Sequence, residues 1–200
     1  MKIVLASSNK NKIKEFKRIL EPLDIELITQ TELGVKEVPE TGVSFEENSI
    51  IKSKNAYMQT NLPTIADDSG IEVDALNGEP GIFSARYAGE PSDDEENNKL
   101  LLRNLKNSDS KSKLARYQCV ISYVDKHYLE KPAVFHAICE GKITLNPKGT
   151  NGFGYDPIFY LDEYGCTSAE LEQDIKNEIS HRAIALKKFE IFIKTHVKSA

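Results

Sequence analysis

The chain has 200 residues, 40% hydrophobic and 28% charged, enough for one good core or for two lobes sharing a cleft. A formal charge of -5, with 21 Lys and only 5 Arg, argues against a surface that tracks a nucleic-acid polymer. Cys119, Cys139 and Cys166 form no C-x-x-C, and no segment is a signal peptide or approaches a membrane span, so a reducing, cytoplasmic setting with no disulfide framework, zinc site or membrane partner is expected.

Ile3-Val4-Leu5-Ala6 reads as a buried strand, Ser7-Ser8-Asn9-Lys10-Asn11-Lys12 as a polar loop, and Ile13, Phe16 and Leu20 as the apolar stripe of a helix. A helix start leaves N–H groups without partners, so this loop, with Asn9 and Lys12 beside it, is a ready anion site. It is not a Walker A loop, since G-x-x-x-x-G-K-S/T occurs nowhere in the chain. Lys10, Lys14 and Lys17 share one helical face and are expected to be solvated. A second strand follows over residues 25–29, then the loop Val38-Pro39-Glu40-Thr41-Gly42, in which Glu40 reads as exposed. Ser44-Phe45-Glu46-Glu47 has the form of a capping box and opens a helix over residues 45–58. Asn48, Lys52 and Asn55 make a polar stripe on that helix, whose plainer interpretation is its wet face.

Ile65-Ala66-Asp67-Asp68-Ser69-Gly70 reads as two short strands meeting at a carboxylate-bearing corner. Two adjacent acids cannot both enter an apolar core, so at least one should face a cleft, a cation or a metal. Beyond the turn cluster Asn77-Gly78-Glu79-Pro80-Gly81 lies Ile82-Phe83-Ser84-Ala85-Arg86-Tyr87, suited to an interface or a buried loop. Ser92-Asp93-Asp94-Glu95 reads as a second capping box before a helix carried by Leu100, Leu101 and Leu105. Two long antiparallel strands are expected, one alternating from Ala115 to Tyr123 and one over residues 133–144. His127 and His136 lack metal-ligand spacing. Gly149-Thr150-Asn151-Gly152-Phe153-Gly154-Tyr155-Asp156-Pro157 interleaves glycines with aromatic faces on which a base can stack. Thr167-Ser168-Ala169-Glu170 is a third capping box. Lys176 and Ile179-Ser180-His181-Arg182 precede a last helix with Ala183, Leu186, Phe189, Ile193 and Val197 on its core side; Ser180 reads as its N-cap, and a His-Arg pair is ordinarily at the surface.

Taken together, these stretches resemble the inosine triphosphate pyrophosphatases, enzymes that hydrolyse non-standard purine nucleoside triphosphates. The matching segments are residues 3–12, Glu40-Thr41-Gly42 with Ser44-Phe45-Glu46-Glu47-Asn48, Ala66-Asp67-Asp68-Ser69-Gly70, Pro80-Gly81-Ile82-Phe83-Ser84-Ala85-Arg86-Tyr87, residues 149–157, and Lys176 with Ser180-His181-Arg182. Each is weak alone; six in order across the chain are specific. Ser8 is the nearest departure from the family pattern.

The resemblance implies an α/β fold with a mixed, twisted central sheet flanked by helices, two lobes with a substrate cleft between them, and a single domain over residues 1–200. It implies that Ser7, Ser8, Asn9, Lys10, Asn11 and Lys12 hold the triphosphate, with Lys52 and Ser69 also touching substrate. Glu40 and Asp68 would bind Mg²⁺, with Asp68 the proton acceptor. Phe153, Gly154, Tyr155 and Asp156 would enclose the base, and Lys176, His181 and Arg182 would complete its pocket. A homodimer with the contact near residues 83–87 is also implied. The other functions considered are a non-catalytic nucleotide sensor and a pyrophosphatase for another modified nucleotide. Retention of Glu40, Lys52 and Asp68 together argues against the sensor, because binding alone needs no base beside a metal site.

Overall fold

A computed structural model describes residues 1–197; the last three residues of the expected domain and the side chains of His196 and Val197 lie outside the described residues. Seven strands form one mixed sheet in the order β2-β1-β3-β4-β5-β6-β7: β1 (Lys2–Leu5), β2 (Glu26–Thr29), β3 (Thr64–Val73), β4 (Leu114–Val124), β5 (Ala133–Ile143), β6 (Phe159–Leu161) and β7 (Cys166–Thr167). β1 pairs in parallel with β2 and with β3, whereas β6 is antiparallel to both β5 and β7. The helices that flank the sheet are α1 (Lys10–Leu20), α2 (Phe45–Thr60), α3 (Asp94–Asn107), α4 (Gln173–Ile179) and α5 (His181–Phe192). Among the described residues no helix is long and apolar enough to cross a membrane.

The chain divides into two compact units, one comprising Met1–Asp68, Cys119–Ala137 and Arg182–Ala200, the other Ser69–Gln118 and Ile138–His181. The first is built on Ile3, Leu5 and Ile65 of the sheet, Phe16 and Leu20 of α1, and Leu186 and Phe189 of α5. α1 is set in place by its cap: the Asn9 side-chain oxygen accepts from the N–H groups of Asn11 and Lys12 at 3.0 and 3.1 Å. The second unit gathers Ile71 and Val73 of β3, Leu101 and Leu105 of α3, Tyr117 of β4 and Phe159 of β6 around its own core.

Three expectations change. The acid pair stands in the middle of one continuous strand, not at a corner, because both carboxylates find cations. The cap of α3 is Asp93 instead of Ser92; its carboxylate takes the N–H groups of Glu95 and Glu96, while the Ser92 hydroxyl donates to the Ala85 carbonyl. The third capping box closes as read, with both reciprocal bonds between Thr167 and Glu170, but encloses only the turn Ser168–Glu170; the helix that carries Lys176 is the separate α4.

Candidate active site

Successive residues of a strand face opposite sides of the sheet, so Asp67 and Asp68 enter different surroundings. Asp67 is 1% exposed. Its Oδ1 lies 3.2 Å from Lys12 Nζ, and its Oδ2 lies 3.3 Å from both Nε and Nη2 of Arg182. Arg182, itself buried, also pairs through Nη1 with Glu15. Burial opposes ionisation of Asp67, but Lys12, Arg182 and Lys52 outweigh it and hold the carboxyl well below its usual range. One acid of the pair is thus part of a buried ion cluster. The Cys119 thiol, 4.0 Å from Asp67, is pushed up by burial and by that carboxylate, and stays neutral.

Asp68 faces Lys52. The Lys52 Nζ lies 2.7 Å from Glu40 Oε1 and 3.3 Å from Asp68 Oδ1, bringing together three residues 28 positions apart in sequence at their extremes (68 − 40). Burial lowers the Lys52 pKa, but Asp68 and Glu40 outweigh it, so the ammonium is retained. Asp68 is shifted the other way: burial raises its pKa, only partly offset by Lys52 and Lys12. Its second oxygen, Oδ2, is buried and has no hydrogen-bond partner among the described residues. Such an orphaned hard oxygen, with a second carboxylate held by the same ammonium, fits Mg²⁺, which typically takes one or two protein carboxylates and completes its shell with water and phosphate oxygens.

The polar stripe of α2 explains how Glu40 reaches this point. Asn48 is fully buried, and its Oδ1 accepts the Gly42 N–H at 2.8 Å. Asn55 donates to the Lys36 carbonyl at 2.8 Å, and Glu47 accepts the Val43 N–H at 2.8 Å. A Cβ on Gly42 would lie 2.6 Å from Glu47 Cβ, so a glycine is needed where the loop meets the helix. The stripe is therefore a loop clamp and not a wet face. Asn48 was absent from the expected site residues, although its spacing to Lys52 pointed to it.

Of the N-terminal loop, Ser8, Asn9, Lys10 and Asn11 are exposed and Ser7 half-buried. The Ser7 hydroxyl accepts the Asn9 N–H at 3.3 Å, and Asn9 Oδ1 is engaged in the helix cap. Lys12 is the one residue of this loop whose side chain reaches the acid pair. Ser69 follows Asp68 on β3 and is half-buried.

In the second unit a pocket is lined by Tyr117, Cys139, Asp156, Phe159, Lys176 and His181 together with neighbouring apolar residues and the serines Ser168 and Ser180. Lys176 is 5% exposed; its Nζ lies 2.5 Å from Asp156 Oδ2, which also accepts the Phe153 N–H at 2.8 Å. The same ammonium stands 5.6 Å from the centre of the Phe153 ring. His181 is buried against Tyr117, ring centroids 4.5 Å apart and planes 8° from parallel. The expected surface location of the His-Arg pair is corrected: stacking covers His181, and ion pairs cover Arg182. Asp156, Lys176 and His181 thus line one pocket, and Phe153 is tied to it through the Lys176 ammonium. Tyr155 turns its hydroxyl to the Ser84 carbonyl at 2.7 Å and so anchors the loop. Burial pushes the Cys139 thiol up to about 11, making it a neutral wall instead of a nucleophile. Tyr117 and Cys139 escaped the sequence reading because an alternating strand gives no sign of what its buried face lines.

Fold and site define a mixed α/β protein with a carboxylate–ammonium site on its central sheet and an aromatic, cationic pocket. The model of the Ham1 family matches residues 3–192, and the chain belongs to that family. It is 46% identical over 186 residues to the dITP/XTP pyrophosphatase of Photorhabdus laumondii, covering 93% of this chain and 94% of that one. Among solved structures, the HAM1 protein of Coxiella burnetii superposes with a TM-score of 0.91 at 43% identity, covering 97% of this chain and 98% of the other. The Ham1 protein of Staphylococcus aureus gives a TM-score of 0.86 at 44% identity, with the same coverage.

Proposed function

We propose that this protein is a Mg²⁺-dependent pyrophosphatase that hydrolyses ITP, dITP and XTP to the nucleoside monophosphate and pyrophosphate, removing deaminated purines from the nucleotide pool. The observation that carries this proposal is the grouping of Glu40, Lys52 and Asp68, with one buried Asp68 oxygen left unpartnered. The name of the Photorhabdus laumondii relative, a dITP/XTP pyrophosphatase, agrees with it.

Glu40 and Asp68 would hold the Mg²⁺, which when bound neutralises charge on phosphate oxygens. Asp68, with its raised pKa, suits a proton acceptor: it takes a proton from the water whose oxygen bonds to the α-phosphorus as the bond to the departing pyrophosphate breaks. Lys12 and Lys52 each carry three ammonium protons, so donors remain for phosphate beside their carboxylate partners. The triphosphate is assigned to Ser7, Ser8, Asn9, Lys10, Asn11 and Lys12 with Lys52 and Ser69. The base is assigned to the pocket of Phe153, Gly154, Tyr155, Asp156, Lys176 and His181. Arg182 is also assigned to the base, although its guanidinium is paired with Asp67 and Glu15. Donors aimed at O6 would be left facing the amino group of adenine, a mismatch that can reject the wrong base by roughly 10⁴-fold. The two units are taken to work as a single catalytic domain over residues 1–200, in a cytoplasmic homodimer.

Pyrophosphate release from ITP, XTP, ATP, GTP and dTTP, with and without Mg²⁺, tests this directly. Fast release confined to ITP and XTP, lost without metal and lost in a folded Asp68→Asn variant, is the expected outcome. Stoichiometric binding of ITP with no pyrophosphate released over hours would replace the enzyme with a nucleotide sensor.

A further inference from the structure

The loop that carries Phe153 and Asp156 is gripped by α3. Asp94, the first residue of that helix, accepts the Gly154 N–H through Oδ2 at 2.7 Å. One turn on, Asn98 donates from Nδ2 to the Gly154 carbonyl and to the Asp94 carbonyl, each at 2.8 Å. Both main-chain groups of one glycine are therefore held by side chains from 60 and 56 positions earlier in the chain. Gly154 has a φ of +63°, and nothing lies within 4 Å of where its Cβ would be, so packing does not define this turn; the two hydrogen bonds do.

Asn98 also keeps its own Oδ1 buried without a hydrogen-bond partner among the described residues. An unpaired buried carbonyl is unfavourable, which makes this amide a poor choice if its task were only to stabilise α3. What it does secure is the peptide between Phe153, whose ring stands beside the Lys176 ammonium, and Asp156, which holds that ammonium.

We propose that Asp94 and Asn98 are positioning residues for the base pocket, fixing the Gly154 peptide so that Phe153, Asp156 and Lys176 keep the geometry in which they meet a purine. The inference rests on the assignment of this pocket to the base. Neither residue touches substrate, so the effect falls on binding of the base and leaves the phosphate chemistry alone.

The test is steady-state hydrolysis of ITP alongside inhibition by inorganic pyrophosphate, a ligand without a base. Asp94→Ala and Asn98→Ala are expected to raise KM for ITP about tenfold, with kcat changed by less than about twofold and the pyrophosphate inhibition constant unmoved. Asp94→Asn, which keeps an acceptor for the Gly154 N–H, is expected to recover most of the loss. An unchanged KM, a parallel rise in the pyrophosphate constant, or an Asp94→Asn variant as impaired as Asp94→Ala would overturn the proposal. Lys176→Met separates the two levels. If it raises KM for ITP while the α3 variants do not, the positioning role alone falls; if it leaves KM unchanged, the base-pocket assignment falls as well.

Discussion

Asp68 is subject to opposing influences that can be separated by mutation. Burial raises its pKa; Lys52 is the largest influence lowering it, followed by Lys12, while Glu40 and Asp67 act with burial. A proton acceptor works only when ionised, so activity should fall on the acid side as pH drops through the Asp68 pKa. Lys52→Met removes the strongest lowering influence among the protein's own groups, so the pKa rises and the acid limb of kcat/KM for ITP moves to higher pH. We also expect kcat to drop on the order of a hundredfold, because a cation assigned to the phosphates is lost. A limb that stayed in place or moved to lower pH in a pH–rate profile would show that the titrating group is not Asp68 under the influence of Lys52. The acid pair was legible as chemistry in the sequence, since two adjacent carboxylates flanked by apolar residues require cations. Which acid belonged to which cation was not, because Arg182 lies 115 positions from Asp67 and no local pattern joins them.

At the scale of elements, the loop before β6 sets a glycine directly against a buried ion pair. A Cβ on Gly152 would fall 2.1 Å from Asp156 Oδ2 and 2.5 Å from Lys176 Nζ, so it would collide with the ion pair itself, and the φ of +78° adds to the strain. Gly152→Ala is expected to raise KM for ITP by about tenfold or more while the chain stays folded, read by kinetics together with circular dichroism; an unchanged KM would detach the Asp156–Lys176 pair from substrate binding. Glycines interleaved with aromatics announced a loop of this kind in the sequence, but the partners that hold it did not show, since Asp94 and Asn98 sit in an ordinary capped helix. α2 was found from its cap, yet its stripe of Asn48, Lys52 and Asn55 was open to the wrong interpretation, because helical spacing tells which residues share a face and not what that face meets. The acid-bearing strand reads as two for a related reason: sequence patterning treats adjacent charges as a break, whereas β3 runs through them once each has its counter-ion.

For the molecule as a whole, the alternation of strands and helices in the first half and the paired long strands β4 and β5 were enough to give a mixed α/β sheet, and the described structure is of that class. The division into two units was harder to read, since β3, β4 and β5 each contribute residues to both and no linker marks the passage. The proposed homodimer leads to a prediction at this scale. Phe83, in the turn Gly81–Arg86, is 55% exposed, and the Arg86 guanidinium lies over its ring at 5.6 Å, a surface suited to burial against another chain. Sedimentation equilibrium should find the wild type at twice the chain mass and Phe83→Glu at the single-chain mass; a wild type that sediments as a single chain would remove the dimer.

The long separation between Asp67 and Arg182 also bears on how the protein is made. As the polypeptide leaves the ribosome, Asp67 and Lys12 emerge early, and the whole second unit must be synthesised before Arg182 arrives to share the buried carboxylate. Until then the nascent chain holds Asp67 against Lys12 and Lys52 alone, without the guanidinium that also favours its ionised form. Folding of that unit is thereby tied to late translation, so a transcript cut short within the second unit would yield a chain whose buried carboxylate has Lys12 and Lys52 but lacks the guanidinium that completes its ion cluster.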